Sequence, residues 1–253
     1  MAEEPTSANK NNPGIEPTSE QVSQAASNAM IANMTKASAQ LQILNSTPCP
    51  FQSWNRKKTM PWDEYVARFV VVAKKQEPPI SPVAVQDVLA YLQSNQEKLK
   101  NLIKNKRTIT INDFTQKSGE KRMYVLDLYT GEVHRVRVAH GIGSGKRDMV
   151  EKCSNKANSN ATPPGFQIIG EQKSYSKFGS ALEIHGLEKR NDNDLDRDII
   201  FHPNKTEAQR QKLEADRGYI DHSEGCPQLT QEDYLQLRPL VEGGSLMYNF
   251  CPQ

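Results

Sequence analysis

The hydrophobic period of this chain changes at Thr108, and that change limits the folds open to it. Before it, Tyr65, Phe69 and Val72 recur at helical spacing across residues 62–75, with Pro61 at the start. Residues 81–104 read as a second helix, opened by Ser81 and Pro82 and striped by Val85, Val88, Leu89, Leu92, Leu99 and Ile103. After it, Ile109 and Ile111 alternate with Thr108, Thr110 and Asn112, and residues 123–129 and 132–139 read as a hairpin turning at Thr130 and Gly131. Further strands are expected at 165–169, 181–185, 198–202 and 245–250, with helices at 206–217 and 230–240. Strands outnumber helices beyond residue 108. The expected fold is therefore α+β, a mainly β sandwich or barrel-like domain with an N-terminal helical extension.

A hydrophobic content of 36% is low for one compact globule, and it is unevenly distributed. Residues 1–45, rich in Ser, Asn, Ala, Thr, Gln and Pro, read as a disordered or weakly helical tether. The division is thus a tether at 1–45, a helical region at 46–107 and the main domain at 108–253. A net charge of +2 excludes a strong electrostatic field for nucleic acid or membrane. No segment approaches the roughly 18 consecutive apolar residues of a membrane span.

The residues that can carry chemistry gather between Asp198 and Gln228. Ile199, Ile200 and Phe201 deliver His202 at a strand end, and the chain returns through His222, Ser223, Glu224, Gly225, Cys226 and Pro227. A histidine on a rigid strand end and a cysteine beside a glycine are the minimum equipment for thiol-based acyl transfer. A free thiol with a pKa of about 8.5 is only a few per cent thiolate at neutral pH, so the nucleophile needs a base. Cys226 is the candidate nucleophile and His202 the candidate base. Gly225 permits a tight turn whose N–H groups can face a developing oxyanion. Ser223 can hydrogen-bond within that turn, and Pro227 stiffens its exit. Of the 5 histidines, His134 lies inside a strand and reads as a packing or surface residue. His140 and His185 each end a strand before a glycine, and His222 is close to Cys226 in sequence. His185 and His222 are the main alternatives to His202.

The run Ser223, Glu224, Gly225, Cys226, Pro227, Gln228 resembles the Ser/Thr-x-Gly-Cys signature of the L,D-transpeptidase (YkuD-like) catalytic domain, in the murein branch with proline after the cysteine. Ile111 to Phe114, Lys121 to Leu128, Val138 to Gly141, Ser144 to Lys146 and Gly186 to Glu188 continue the resemblance in order. It implies that residues 108–253 are a catalytic domain forming a Cys226 acyl-enzyme on peptidoglycan stem tetrapeptides. The product would be a 3→3 crosslink or an exchanged terminal D-amino acid. Cys226, His202, Gly225 and Ser223 would form the catalytic set, with His185, His222, Glu224, Gln228 and Tyr175 toward substrate. No cofactor and no metal are implied, and the partners are stem peptides. Glu224 stands where many members have histidine, and Gln228 where asparagine or arginine is common. The acceptor therefore stays open between a second stem peptide, a free D-amino acid, a protein and water, the last making an L,D-carboxypeptidase.

Met1 is followed by Ala2, Glu3 and Glu4 with no apolar segment, which fits a cytosolic protein or a mature exported chain. The resemblance favours the second, in the periplasm or cell envelope. With Cys226 assigned, Cys49, Cys153 and Cys251 remain, and an oxidising compartment could pair two of them or leave three thiols elsewhere.

Other motifs fail on spacing. Gly141, Gly143, Gly145 and Lys146 lack the Walker pattern, and read as a loop in which glycines let backbone approach substrate or catalytic loop. The acidic stretch Asn191 to Asp198 lacks the glycine and closing glutamate of a calcium loop, and is expected to be solvated. A zinc site at Cys226 has no CxxC or HExxH spacing behind it. The alternatives that remain are a non-catalytic peptidoglycan-binding module, against which both Cys226 and His202 speak, and a cytosolic cysteine hydrolase on unrelated substrates.

Overall fold

A computed structural model describes residues 60–75, 80–175 and 179–252. The expected tether, Cys49, Lys177, Phe178 and the side chain of Tyr175 lie outside the described residues.

Helix α1 (Trp62–Lys74) follows Pro61 and carries Asp63 and Glu64 in its first turn, where carboxylates suit the helix dipole. Trp62, Tyr65, Phe69 and Val72 form its buried stripe. Buried Arg68 donates from Nη1 to the Leu128 carbonyl at 2.9 Å, fixing the helix to the strand region. Helix α2 (Pro82–Ser94) is capped by the Ser81 hydroxyl and buries Ala84, Val88 and Leu92. The expected single helix over 81–104 is interrupted. Asn95 leaves helical geometry and turns its Nδ2 back onto the Tyr91 carbonyl at 3.1 Å, so that a separate α3 (Gln96–Leu102) follows. Asparagine offers the backbone a local partner that competes with helix continuation.

The strands are β1 (Thr108–Asp113), β2 (Met123–Asp127), β3 (Val133–Val136), β4 (Gly165–Tyr175), β5 (Gly179–Gly186), β6 (Ile200–Pro203), β7 (Gln228–Leu229) and β8 (Ser245–Phe250). Helix α4 (Glu207–Arg217) joins β6 to β7, and α5 (Gln231–Val241) joins β7 to β8. Among the described residues, these strands form one eight-stranded sheet in the order β3-β2-β1-β8-β4-β5-β6-β7. The β1–β8 and β6–β7 pairs are parallel, and the others are antiparallel. Past β3, bridges Ala139 to Gln228 and Gly141 to Ser223 carry the chain onto the β7 edge. The sheet is therefore barrel-like and nearly closed, which leaves few unpaired edges.

Its interior is filled by alternate strand residues, including Val125, Ile169, Leu182, Ile184, Phe201 and Met247, and closed by Leu237 and Val241 of α5. Burying each such side chain contributes about 1.5–3 kcal/mol. The hairpin β4–β5 runs further than the alternation suggested, because its register shifts between Ile169 and Gln172 and the regular pattern is lost there. Strand β6 begins at Ile200 instead of residue 198, since Asp198 has φ +50° and turns the chain before pairing starts. Strand β7 was not anticipated; two residues are too few for a period to register.

The acidic stretch is the expected solvated loop only in part: Asp192, Asp196 and Asp198 are exposed, but two of its residues point inward. Asn191 and Asp194 are fully buried. The Asn191 Nδ2 donates to the Pro164 and Phe166 carbonyls, both at 2.9 Å. Asp194 accepts from Gln167 Nε2 at 2.6 Å, Gln167 accepts from Asn249 Nδ2, and Asn249 accepts from Asn112 Nδ2. This chain of amides ties the loop before β6 to three strands of the sheet. Cys153 and Cys251 form a disulfide that fastens the segment after Val150 to the end of β8.

Candidate active site

The site is built where β6 and β7 run parallel, with His202 opposite Gln228. Cys226 precedes β7 by one turn residue, and its Sγ accepts from the Ile200 N–H at 3.5 Å and lies 3.6 Å from the Asp198 carbonyl. A parallel pair with alternating faces thus brings Ile200 and His202 of one strand beside Cys226 and Gln228 of the next. All four line a cleft of about 850 Å³, together with Arg197, Asp198, Lys205, Asp221, His222, Ser223 and Glu224. Leu213 and Arg217 of α4 and Ile142 of the glycine-rich loop complete its walls. A second cavity of about 610 Å³, between α2 and β8, is lined by Cys153 and Cys251 but by none of the candidate catalytic or substrate residues.

The turn before Cys226 is made by two residues. Gly225 has φ +123°, a backbone state that side chains rarely adopt, and a Cβ there would lie 2.9 Å from the Ala161 carbonyl oxygen. The Ser223 hydroxyl donates to the Cys226 carbonyl at 2.6 Å and accepts from the Gly225 N–H at 3.2 Å. Among the described residues, the Cys226 N–H makes no hydrogen bond. The glycine-rich loop packs here because Gly141 lacks a Cβ: one would sit 2.8 Å from the Gly225 Cα.

Cys226 is a free thiol, only 7% exposed. Burial pushes it up to about 11; the Ile200 N–H and the Arg197 charge pull it down, while Glu224 and Asp198 push it further up. His202 is almost fully buried, and its Nδ1 lies 2.9 Å from the Pro203 carbonyl. A carbonyl can only accept, so Nδ1 carries the proton and Nε2 the lone pair in the neutral ring.

The other candidates separate by position. His222 lines the cleft, donates from Nε2 to the Arg147 carbonyl at 2.8 Å and meets His140 edge-on at 4.9 Å. Gln228 lines it too, with Oε1 buried and unpaired among the described residues. His185 is not among the residues that line the cleft: it sits on β5 beneath Gly170, 3.7 Å from Glu183. His140 is fully buried between Arg122, which donates to Nδ1 at 2.8 Å, and the Gly145 carbonyl, which accepts from Nε2. Desolvation first and the Arg122 charge second hold it down at about 3, so it is a neutral structural residue. Arg197 and the Ile200 N–H, both beside the thiol, escaped sequence reading: one lay in a charged loop without a motif, the other is backbone. Among the described residues no group of three or more His, Cys, Asp or Glu is placed to hold a metal.

A family model described as the L,D-transpeptidase catalytic domain matches residues 77–250, from just before α2 to the end of β8. Among solved structures the chain is similar to an L,D-transpeptidase from Mycobacterium smegmatis, at 12% identity and TM-score 0.34, covering 56% of this chain and 58% of that one. It is also similar to an L,D-transpeptidase from Mycobacterium tuberculosis H37Rv, at 17% identity and TM-score 0.30, over 56% and 57% of the two chains. A third, from Stackebrandtia nassauensis, is 15% identical with TM-score 0.34 over 81% and 86%. This chain thus spans less than two thirds of the two mycobacterial structures. No curated protein sequence matches it. With the family model aligned from α2 through the cleft to the last strand, the chain belongs to the L,D-transpeptidase catalytic domain family.

Proposed function

We propose that this chain is a cysteine-dependent peptidoglycan L,D-transpeptidase that works on stem tetrapeptides through an acyl-enzyme on Cys226, outside the cytoplasm in the periplasm or cell envelope. The observation that carries the reading is the single cleft lined by Cys226 and His202 on adjoining parallel strand ends. Sγ attacks the carbonyl of the diaminopimelate residue and its proton passes to His202 Nε2. The S–C bond forms, the amide C–N bond to the terminal D-alanine breaks, and the imidazolium returns the proton to the leaving amine. The Pro203 carbonyl at Nδ1 steadies the imidazolium while it lasts. An amine of a second stem peptide then attacks the thioester and gives up a proton through His202 to the departing Cys226 sulfur, leaving a 3→3 amide crosslink.

Because burial holds the thiol at about 11, Cys226 is protonated at neutral pH. Proton transfer to His202 therefore accompanies the attack. The Cys226 N–H is the candidate oxyanion donor, a kind of group whose removal elsewhere costs about a hundredfold to a thousandfold in rate. The test is incubation with purified disaccharide tetrapeptides and mass analysis of the products. Loss of D-alanine with a crosslinked dimer is expected, and Cys226→Ala should abolish it while leaving the protein folded. Turnover by Cys226→Ala would overturn the nucleophile assignment, and tripeptide monomers alone would make the enzyme a carboxypeptidase.

A further inference from the structure

Arg197 immediately precedes the residue that turns the chain into β6, and its guanidinium reaches back across the loop. Nη1 donates to the Ser154 carbonyl at 2.8 Å, and Nη2 donates to the Ala161 carbonyl. The same Ala161 carbonyl and the same Nη2 bound the space around Gly225, at 2.9 and 3.0 Å from where a Cβ would stand. The guanidinium therefore lies against the residue that precedes Cys226, and it is itself part of the cleft wall. Its neighbour Asp198 supplies the carbonyl beside Sγ. Two further contacts hold the frame: Asn193 Nδ2 donates to the Asn155 carbonyl at 3.0 Å, and the Cys153 disulfide anchors the segment carrying Ser154.

Both hydrogen bonds of this guanidinium go to neutral carbonyls. Among the described residues no carboxylate forms an ion pair with it; Asp194 acts on its charge from farther away, as does the Cys226 sulfur itself. Lys205, another cation of the cleft, is paired with Asp221 at 3.4 Å. A fixed cation near a buried sulfur favours thiolate and the anionic transition state.

We propose that Arg197 is the positioning residue for the nucleophile: anchored on the Ser154 and Ala161 carbonyls, it braces the Gly225–Cys226 turn and sets a permanent positive charge beside Sγ. The inference rests on Cys226 being the nucleophile, and it deepens that assignment by naming what stabilises the sulfur as an anion. Burial raises the thiol, and Arg197 opposes that rise. Its planar fork suits two carbonyls from different parts of one loop better than the point charge of lysine does.

The test is the pH dependence of Cys226 alkylation by iodoacetamide in the full chain, located by peptide mapping, for the wild type, Arg197→Lys and Arg197→Gln. Arg197→Gln is expected to move the apparent thiol pKa up by about one unit, which lowers labelling at neutral pH about tenfold. Arg197→Lys, keeping the charge, should recover most of the wild-type profile. An unshifted profile in a folded Arg197→Gln overturns the proposal. So does equal slowing of both variants without a shift, which would mark a purely structural role. Alkylation reports the thiol without requiring peptidoglycan chemistry, so a failed transpeptidation reading and a failed role for Arg197 give different results.

Discussion

At the scale of single residues, the chemistry depends on what burial does to a few ionisable groups. The sequence singled out Cys226 and His202 as candidates because their residue types and neighbours are chemically specific, and the structure puts both on one cleft. The sequence also suggested the turn-holding role that Ser223 fills in the structure, with its hydroxyl bonded on both sides of Gly225. It left His140 open because a strand-end histidine reads alike whether its ring faces a cleft or an arginine. Asp194 is the other group that burial transforms. Desolvation raises its carboxyl from 3.8 to about 7, against the pull of the Gln167 hydrogen bond and Arg197. The native state then holds that proton more tightly than the unfolded chain. This group's stabilising share is full below the unfolded value and is lost as pH rises from 3.8 to about 7. Asp194→Asn, uncharged and of similar shape, should therefore melt progressively higher than the wild type as pH rises through that window. Parallel melting curves from acid to neutral pH would contradict the assignment.

At the scale of elements, α4 is the wall of the cleft that least resembles a core helix. Its capping box at Thr206 and Gln209 and its left-handed Gly218 define its ends, close to the bounds of 206–217 expected from sequence. What the sequence could not disclose is its attachment, because polar helices usually read as solvated. Arg210 is fully buried, with Nε 3.0 Å from Asp221 and Nη2 bonded to the Gln228 carbonyl. Arg137 pairs with Glu207 and Glu214 from the barrel side. The helix thus holds both the segment leading to the candidate catalytic turn and strand β7. Replacing Arg210 by Met leaves the 8%-exposed Asp221 with only Lys205 as a cationic partner, and is expected to cost about 3 kcal/mol by denaturant unfolding. A loss under about 0.5 kcal/mol, the range of ordinary surface substitutions, would mean that the helix is held by other contacts. The break at Asn95 and the short β7 were illegible for a related reason: each depends on one or two residues, fewer than any periodic pattern needs.

At the scale of the molecule, the barrel exists to bring distant segments to one place. The bridges at Ala139 and Gly141 close the sheet onto β7 and Ser223, so the glycine-rich loop, the loop after Val150 and the β6–β7 pair meet around Cys226. The change of period at Thr108 announced a sheet-rich domain, and the family motifs announced its kind. The closure itself was hidden, because parallel pairing of β1 with β8 and of β6 with β7 joins segments whose partnership no local pattern records. The central claim is that this assembly makes Cys226 an acylatable nucleophile served by His202. Intact-mass spectrometry of the protein incubated with a carbapenem, beside a Cys226→Ser control, tests it most directly. The account predicts one covalent adduct on the wild type, mapped to Cys226, and none on the variant; an unmodified wild type with an accessible, reduced thiol, or an adduct that persists in the variant, would contradict it.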